Sequence, residues 1–173
     1  FEGFWQNADT SPVPFDEELA IEGLQQPVSI TFDDQGVHHI FAQNRHDLFL
    51  AQGYVVAQLR LWQMEFQVMA ASGRVSEIIG KGALNFDRLQ RRKGMNLGAG
   101  RSLDELSKDP MIFSYVEAYA KGVNAYINSL SYADLPIEYK LLDFHPEAWS
   151  PYKCALFMKS MVEMLSSQQK DVE

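Results

Sequence analysis

The run Asp47–Gly80, DLFLAQGYVVAQLRLWQMEFQVMAASGRVSEIIG, decides how the chain is read. Leu48, Gln52, Val55, Leu59, Trp62, Phe66 and Met69 recur three and four residues apart, the repeat of one helical face. Ala51, Val56, Leu61, Met64 and Val68 carry apolar surface round much of the remaining circumference. Between Leu48 and Ser72 only Arg60 and Glu65 are charged. Such a helix asks for apolar neighbours on nearly every side. Its glutamines and charges interrupt any apolar run long before the ~20 residues a bilayer requires. It therefore reads as the central helix of a soluble assembly and not as a membrane span.

Working outward, Asn44 is a good N-cap, with Asp47 three residues later as an Asx-type capping box. Gly73 stands where a left-handed residue would close the helix, and Val75, Ile78 and Ile79 form one more turn that ends at Gly80. Upstream, Val28, Ile30 and Phe32 alternate with Ser29 and Thr31, the period of a half-buried strand. Asp33-Asp34-Gln35-Gly36 reads as a turn into a second strand, Val37–Ala42. This places a β-hairpin at 28–42. Two strands are not a stable sheet by themselves, so strands from elsewhere are expected. Residues 1–26 read as an irregular arm whose Phe1, Phe4 and Trp5 are expected to lie on another surface.

Downstream, residues 81–100 read as a loop with a short helix around Asp87–Arg92. Ser102 with Glu105 marks a helix start. Asp109-Pro110 caps and opens a long helix in which Phe113, Val116, Ala120, Val123, Ile127 and Leu130 keep a three-four repeat. Gly122 inside it costs about 1 kcal/mol against Ala, unless another chain packs there. Leu135–Leu142 is a short helix ended by His145-Pro146. Ser150-Pro151 begins the last helix, whose apolar face runs Cys154, Phe157 or Met158, Met161, Leu165. The expected architecture is a mainly α chain with a short N-terminal β-hairpin, organised as an arm (1–26) and one helical domain (27–173).

Composition narrows the function. The chain has 173 residues, 46% hydrophobic, with a formal net charge of −8. Its one short basic cluster, Arg88, Arg91, Arg92 and Lys93, reads as a solvated face, so no nucleic-acid partner is expected. The single cysteine, Cys154, excludes an intrachain disulfide and reads as a small buried hydrophobe. His38 and His39 are strand neighbours and point to opposite faces, which suits structural hydrogen bonding better than a shared zinc. There is no Gly-rich phosphate loop, GxSxG, HExxH or CxxC, and no catalytic set emerges. Phe1 in place of Met suggests a leader removed or a chain trimmed, and the end at QQKDVE reads as a cut soon after a helix.

Residues 28–80 strongly resemble the small N-terminal chain of the penicillin-acylase family of N-terminal-nucleophile amidases. The pattern D-x-x-G-V-P-H-I is met by Asp33 or Asp34, Gly36, Val37, His39 and Ile40. The next block is met by Asp47, Leu48, Gly53, Tyr54, Ala57, Gln58, Arg60, Leu61, Gln63 and Met64, and G-x-x-x-E-x-x-G by Gly73, Glu77 and Gly80. YAKGVNAYI (Tyr119–Ile127) and HPEAWSPY (His145–Tyr152) extend the match over most of 27–173. His38 stands where the family usually has Pro, and Leu59 where it usually has Asp.

The resemblance implies one half of a two-chain α+β (αββα sandwich) fold, completed by a larger β chain cut from the same precursor. That chain would begin with the nucleophilic Ser, so no catalytic residue is expected here. Activity would be hydrolysis of an acyl amide, such as a β-lactam antibiotic or an acyl-homoserine lactone, in a bacterial periplasm or secreted outside the cell. The same alignment, with a one-residue shift near Ala155, lays Met161 and Leu165 on acyl-pocket positions and Met164 where penicillin G acylases carry Arg. Without the resemblance these three residues read equally as core. Asp171, with Glu173 as fallback, falls on the small-chain carboxylate of a structural Ca²⁺; no organic cofactor is expected. The alternative is a non-catalytic helical binding or scaffold module, supported by the apolar excess and the missing catalytic set.

Overall fold

The structure is a computed structural model that describes residues 20–166. Ser29–Phe32 (β1) and His38–Phe41 (β2) pair antiparallel, with Ile30 opposite Ile40 and Phe32 opposite His38. The Asp33 carboxylate accepts the N–H groups of Gln35 and Val37, both at 2.9 Å, which fixes the turn. Among the described residues no third strand joins this pair.

Seven helices follow: α1 (Arg45–Ser72), α2 (Ser76–Ile79), α3 (Leu84–Arg92), α4 (Met95–Leu106), α5 (Pro110–Ser129), α6 (Ile137–Leu142) and α7 (Pro151–Ser166). Single 3₁₀ turns lie at Gly80–Ala83 and Tyr132–Asp134. The caps read from the sequence hold. Asn44 Oδ1 accepts the Asp47 N–H at 2.8 Å, and the Asp109 carboxylate accepts from Met111 and Ile112. Gly73 closes α1 in the left-handed region (φ 68°, ψ 51°), and Arg60 is a break in its helical backbone.

The hydrophobic core forms where α1, α5 and α7 meet, with α4 and α6 closing it. The α1–α5 contact is the most extensive, and two glycines explain it. A Cβ on Gly53 would lie 2.1 Å from the Tyr119 carbonyl oxygen, and one on Gly122 only 1.9 Å from the Leu50 carbonyl oxygen. Each helix thus offers a bare backbone where the other approaches. The tenant of Gly122 is α1 of the same chain, not a second chain.

Three expectations change. On α1, Val55 and Met69 of the expected face are buried along with Leu50, Ala51, Tyr54, Ala57, Leu61, Met64, Val68 and Ala71, while Leu48, Leu59 and Phe66 stay exposed, because α1 is covered on some sides and not all. Residues 81–100 are mostly helical, and Ser102 lies inside α4 rather than at its start. The glycines at 98 and 100 are tolerated because Ala99 between them is fully buried and α4 packs on α7. On α7, Lys153 and Leu156 are buried, Cys154 and Phe157 pack partly against the core, and from Met158 onward the apolar stripe is exposed.

Candidate functional site

The motif segments that lie far apart in sequence meet around Glu65. Its carboxylate, 1% exposed on α1, accepts the Tyr139 hydroxyl at 2.6 Å and the Glu147 N–H at 2.9 Å. Lys153 Nζ, on the first turn of α7, stands 3.5 Å from Glu65 and 3.1 Å from the Glu147 carboxylate. Arg74 continues the chain of charges, donating to Glu147 at 2.6 Å and to Glu77 at 2.7 Å. Asn124 of α5 then holds the Trp149 backbone at both ends, donating to its carbonyl at 2.9 Å and accepting its N–H at 2.7 Å.

Burial pushes the Glu65 carboxyl up, against the pull of Tyr139, the Glu147 amide and Lys153. The Arg74 guanidinium, with help from Lys153, outweighs burial at Glu147 and holds it at about 2. Burial beside the Glu65 charge pushes the Tyr139 hydroxyl up, which keeps it a proton donor. The network is closed and internally satisfied. It fastens α6, the 143–150 connection and α7 to α1, and it presents no reactive atom.

A cleft of about 450 Å³ opens on the other side of α7, between α1, α5 and α7. Val56, Met64, Val116 and Trp149 line it, with Cys154, Phe157 and Met158 from α7. Gln52, the Tyr115 and Tyr119 hydroxyls and the Trp149 indole N–H are polar groups on residues of an otherwise apolar lining. The Cys154 sulfur accepts the Trp149 indole N–H at 3.2 Å, and burial pushes its thiol up, so it stays protonated and is a poor nucleophile.

Of the residues picked from sequence, Met161, Met164 and Leu165 stand on the second half of α7, 38%, 66% and 78% exposed. Met161 and Leu165 share a face with Cys154 and Met158; Met164 lies to one side of it. None of the three lines the cleft, which ends at Met158. Asp171 and Glu173 lie outside the described residues, as does most of the 1–26 arm. Among the described residues no cluster of three His, Cys, Asp or Glu forms that would hold a metal. His39 pairs with Asp33 at 3.2 Å and His46 with Asp47 at 3.0 Å, both structural contacts. No helix among the described residues is long and apolar enough to cross a membrane.

Sequence reasoning missed the Glu65 network and the cleft. A charge in the middle of an apolar helix was the one signal for the first. The second is made jointly by three helices and has no linear signature.

Comparison with known proteins fits this arrangement. The family model described as penicillin amidase matches residues 27–173. Penicillin acylase 2 proenzyme of Pseudomonas sp. (strain SE83) is 38% identical over 89% of this chain and 19% of its own length. Penicillin G acylase of Escherichia coli is 32% identical over 88% of this chain and 18% of its own. Acyl-homoserine lactone acylase QuiP of Pseudomonas aeruginosa is 37% identical over 86% of this chain and 17% of its own. The chain therefore spans less than a fifth of these relatives. A solved structure of thermostable penicillin G acylase from Alcaligenes faecalis superposes with a TM-score of 0.72 at 29% identity, over 86% of this chain and 79% of that one. With the QMEF, GVNAY and HPEAW segments interlocked in space and the family model matched from residue 27 onward, the chain belongs to the penicillin amidase family.

Proposed function

We propose that this chain is the small (α) subunit of a heterodimeric acylase that hydrolyses an acyl amide. One contrast carries the reading. The chain spans about a fifth of its relatives' full sequences, yet it aligns with 79% of a single chain in the solved penicillin G acylase. That is the proportion expected of a small polypeptide released from a long precursor. The exposed α7 face and the two-stranded hairpin are surfaces that a larger companion would cover.

In this reading the partner's N-terminal Ser attacks the amide carbonyl. Its own α-amino group takes the hydroxyl proton and passes it to the leaving amine. Water then cleaves the acyl ester and restores the serine. This chain contributes to the acyl pocket, through Met161, Met164 and Leu165. Asp171, or Glu173 in its place, supplies one oxygen ligand to a structural Ca²⁺ whose remaining ligands come from the partner. The substrate is a β-lactam amide or an acyl-homoserine lactone, met in the periplasm or outside the cell.

Purification of the protein from its own host tests this. A second, larger chain beginning with Ser, and hydrolysis of phenylacetyl or fatty-acyl amides by the pair, is the expected result. A folded, monodisperse 173-residue chain with no companion overturns it.

A further inference from the structure

We propose that the outer face of α3 docks on the surface of an anionic phospholipid bilayer. The proposal stands apart from the acylase reading and concerns where the complete protein rests, not what it hydrolyses. The chain carries a net charge of −8, yet from Ile78 to Leu103 it has six cationic side chains and one acid, Asp87. That acid is buried, and its carboxylate is used within the fold. An acidic chain thus gathers, in one segment, charge of the sign opposite to its own average.

Contacts on the inner side fix which way α3 faces. The Asp87 carboxylate accepts the Val75 and Ser76 N–H groups at 2.9 and 2.8 Å, and Arg91 Nε donates to the Gly73 carbonyl at 2.9 Å. A Cβ on Gly73 would lie 2.6 Å from the Asp87 carbonyl oxygen, so this side of α3 lies directly on the end of α1. By helical geometry the side opposite Asp87 and Arg91 carries Asn85, Arg88, Leu89 and Arg92, with Leu84 and Phe86 on its flanks. All of these are exposed, Leu89 by 50%, and Ile79 on the turn leading in by 59%. Lys93 is taken by Glu163. Among the described residues, Lys81, Arg88 and Arg92 enter no ion pair or hydrogen bond.

The mixture of side chains selects the occupant. A free anion would need only the cations and would leave Leu84, Phe86 and Leu89 in water. A lipid surface meets both kinds of group. Lys81, Arg88 and Arg92 reach headgroup phosphates, while the apolar side chains enter the boundary with the acyl chains. No carboxylate stands on the outer side of α3 to repel those phosphates. Nine residues of helix are far too short to span a bilayer, so α3 lies on it.

The experiment uses the complete protein purified from its host, with vesicles of equal parts phosphatidylglycerol and phosphatidylcholine and, beside them, vesicles of phosphatidylcholine alone. The protein should sediment with the first and not with the second, and raising salt from about 0.1 M to about 0.5 M should release most of it. Arg88→Gln combined with Arg92→Gln should weaken binding roughly 25-fold, about fivefold for each charge. Leu89→Ser should weaken it about tenfold. These side chains are exposed, so the variants should melt with the parent protein. In the Leu89→Cys variant the new thiol should react with a maleimide in free protein and be shielded by the anionic vesicles, the parent protein serving as blank. Failure to sediment with anionic vesicles overturns the proposal, as does equal binding to both kinds. Unchanged binding by the folded variants overturns it too, since another surface would then hold the lipid. So does release by inorganic phosphate at constant ionic strength, which would make a free anion the occupant. A thiol at 89 that is shielded without vesicles overturns it as well, because the larger chain would then cover this face.

Discussion

The first two turns of α7 and its last two are built on different terms. At the start, Lys153 is enclosed by Glu65, Glu147 and the Trp149 ring, 5.5 Å away, and Leu156 is 1% exposed. At the end, Val162, Met164 and Leu165 stand exposed among the described residues. The two halves have similar helix-forming residues, so propensity does not separate them. Contact does. Groups within the chain fix where α7 begins and which way it faces, and among the described residues the apolar remainder is exposed.

The contrast breaks if the fastened end turns out to be dispensable. Glu65→Ala leaves Lys153 buried beside only one carboxylate, and the assembled protein should lose about 3–5 kcal/mol in urea unfolding. A loss below about 1 kcal/mol would mean that the network follows the fold and does not hold it. The α1–α5 contact makes the same point without charge. Gly122→Ala forces α5 off the Leu50 carbonyl, and its gain in helix propensity does not offset a net loss of about 1–3 kcal/mol.

Acid should sharpen the contrast. Glu147, held at about 2 in the fold against 4.5 otherwise, adds stability above pH 4.5 that disappears as pH falls toward 2. Asp47, held at about 2 against 3.8, acts in the same direction. Glu65 has the opposite sign: its folded value is raised, so its ionisation works against the fold and protonating it relieves that cost. Melting temperature followed from pH 6 to 2 should fall, and Glu147→Gln should shallow the slope. The smallest stability effect belongs to the bare end. Leu165→Ser, at a position 78% exposed, should change unfolding free energy by less than about 0.5 kcal/mol. Met161→Ala should likewise leave stability nearly alone yet shift the preference between phenylacetyl and longer acyl amides by about tenfold.

Local signals were legible. Asn44, Gly73, Asp109 and the Phe113–Leu130 repeat told where helices begin, end and face, because caps and periodicity act within a few residues. The stretch 95–106 was misread for the complementary reason. Its glycines favour loop locally, and only the burial of Ala99 against α7 overrides them. In the sequence Asp87 marks only the start of a short helix within a loop. It is instead buried, and its carboxylate accepts the Val75 and Ser76 N–H groups at 2.9 and 2.8 Å. The Glu65–Lys153 pair joins residues 88 positions apart, which no window of sequence displays. For the candidate site, the α7 stripe was visible as a pattern. That its first half packs partly against the core while its second half is exposed was not, since an apolar stripe reads the same in either setting.

Asp47 does more than begin a helix. Its two carboxylate oxygens accept the Gln25 and Gln26 N–H groups, each at 2.9 Å, and Asn44 and His46 bind it as well. Those partners lie just before β1 and just after β2, so one buried side chain cinches both stems of the hairpin like a drawstring. Burial alone would raise its pKa; the four hydrogen bonds hold it at about 2 instead. A strand arriving at the hairpin edge would find it already aimed, with less orientational freedom to surrender on docking. A single proton, taken up in strong acid, is enough to loosen the knot.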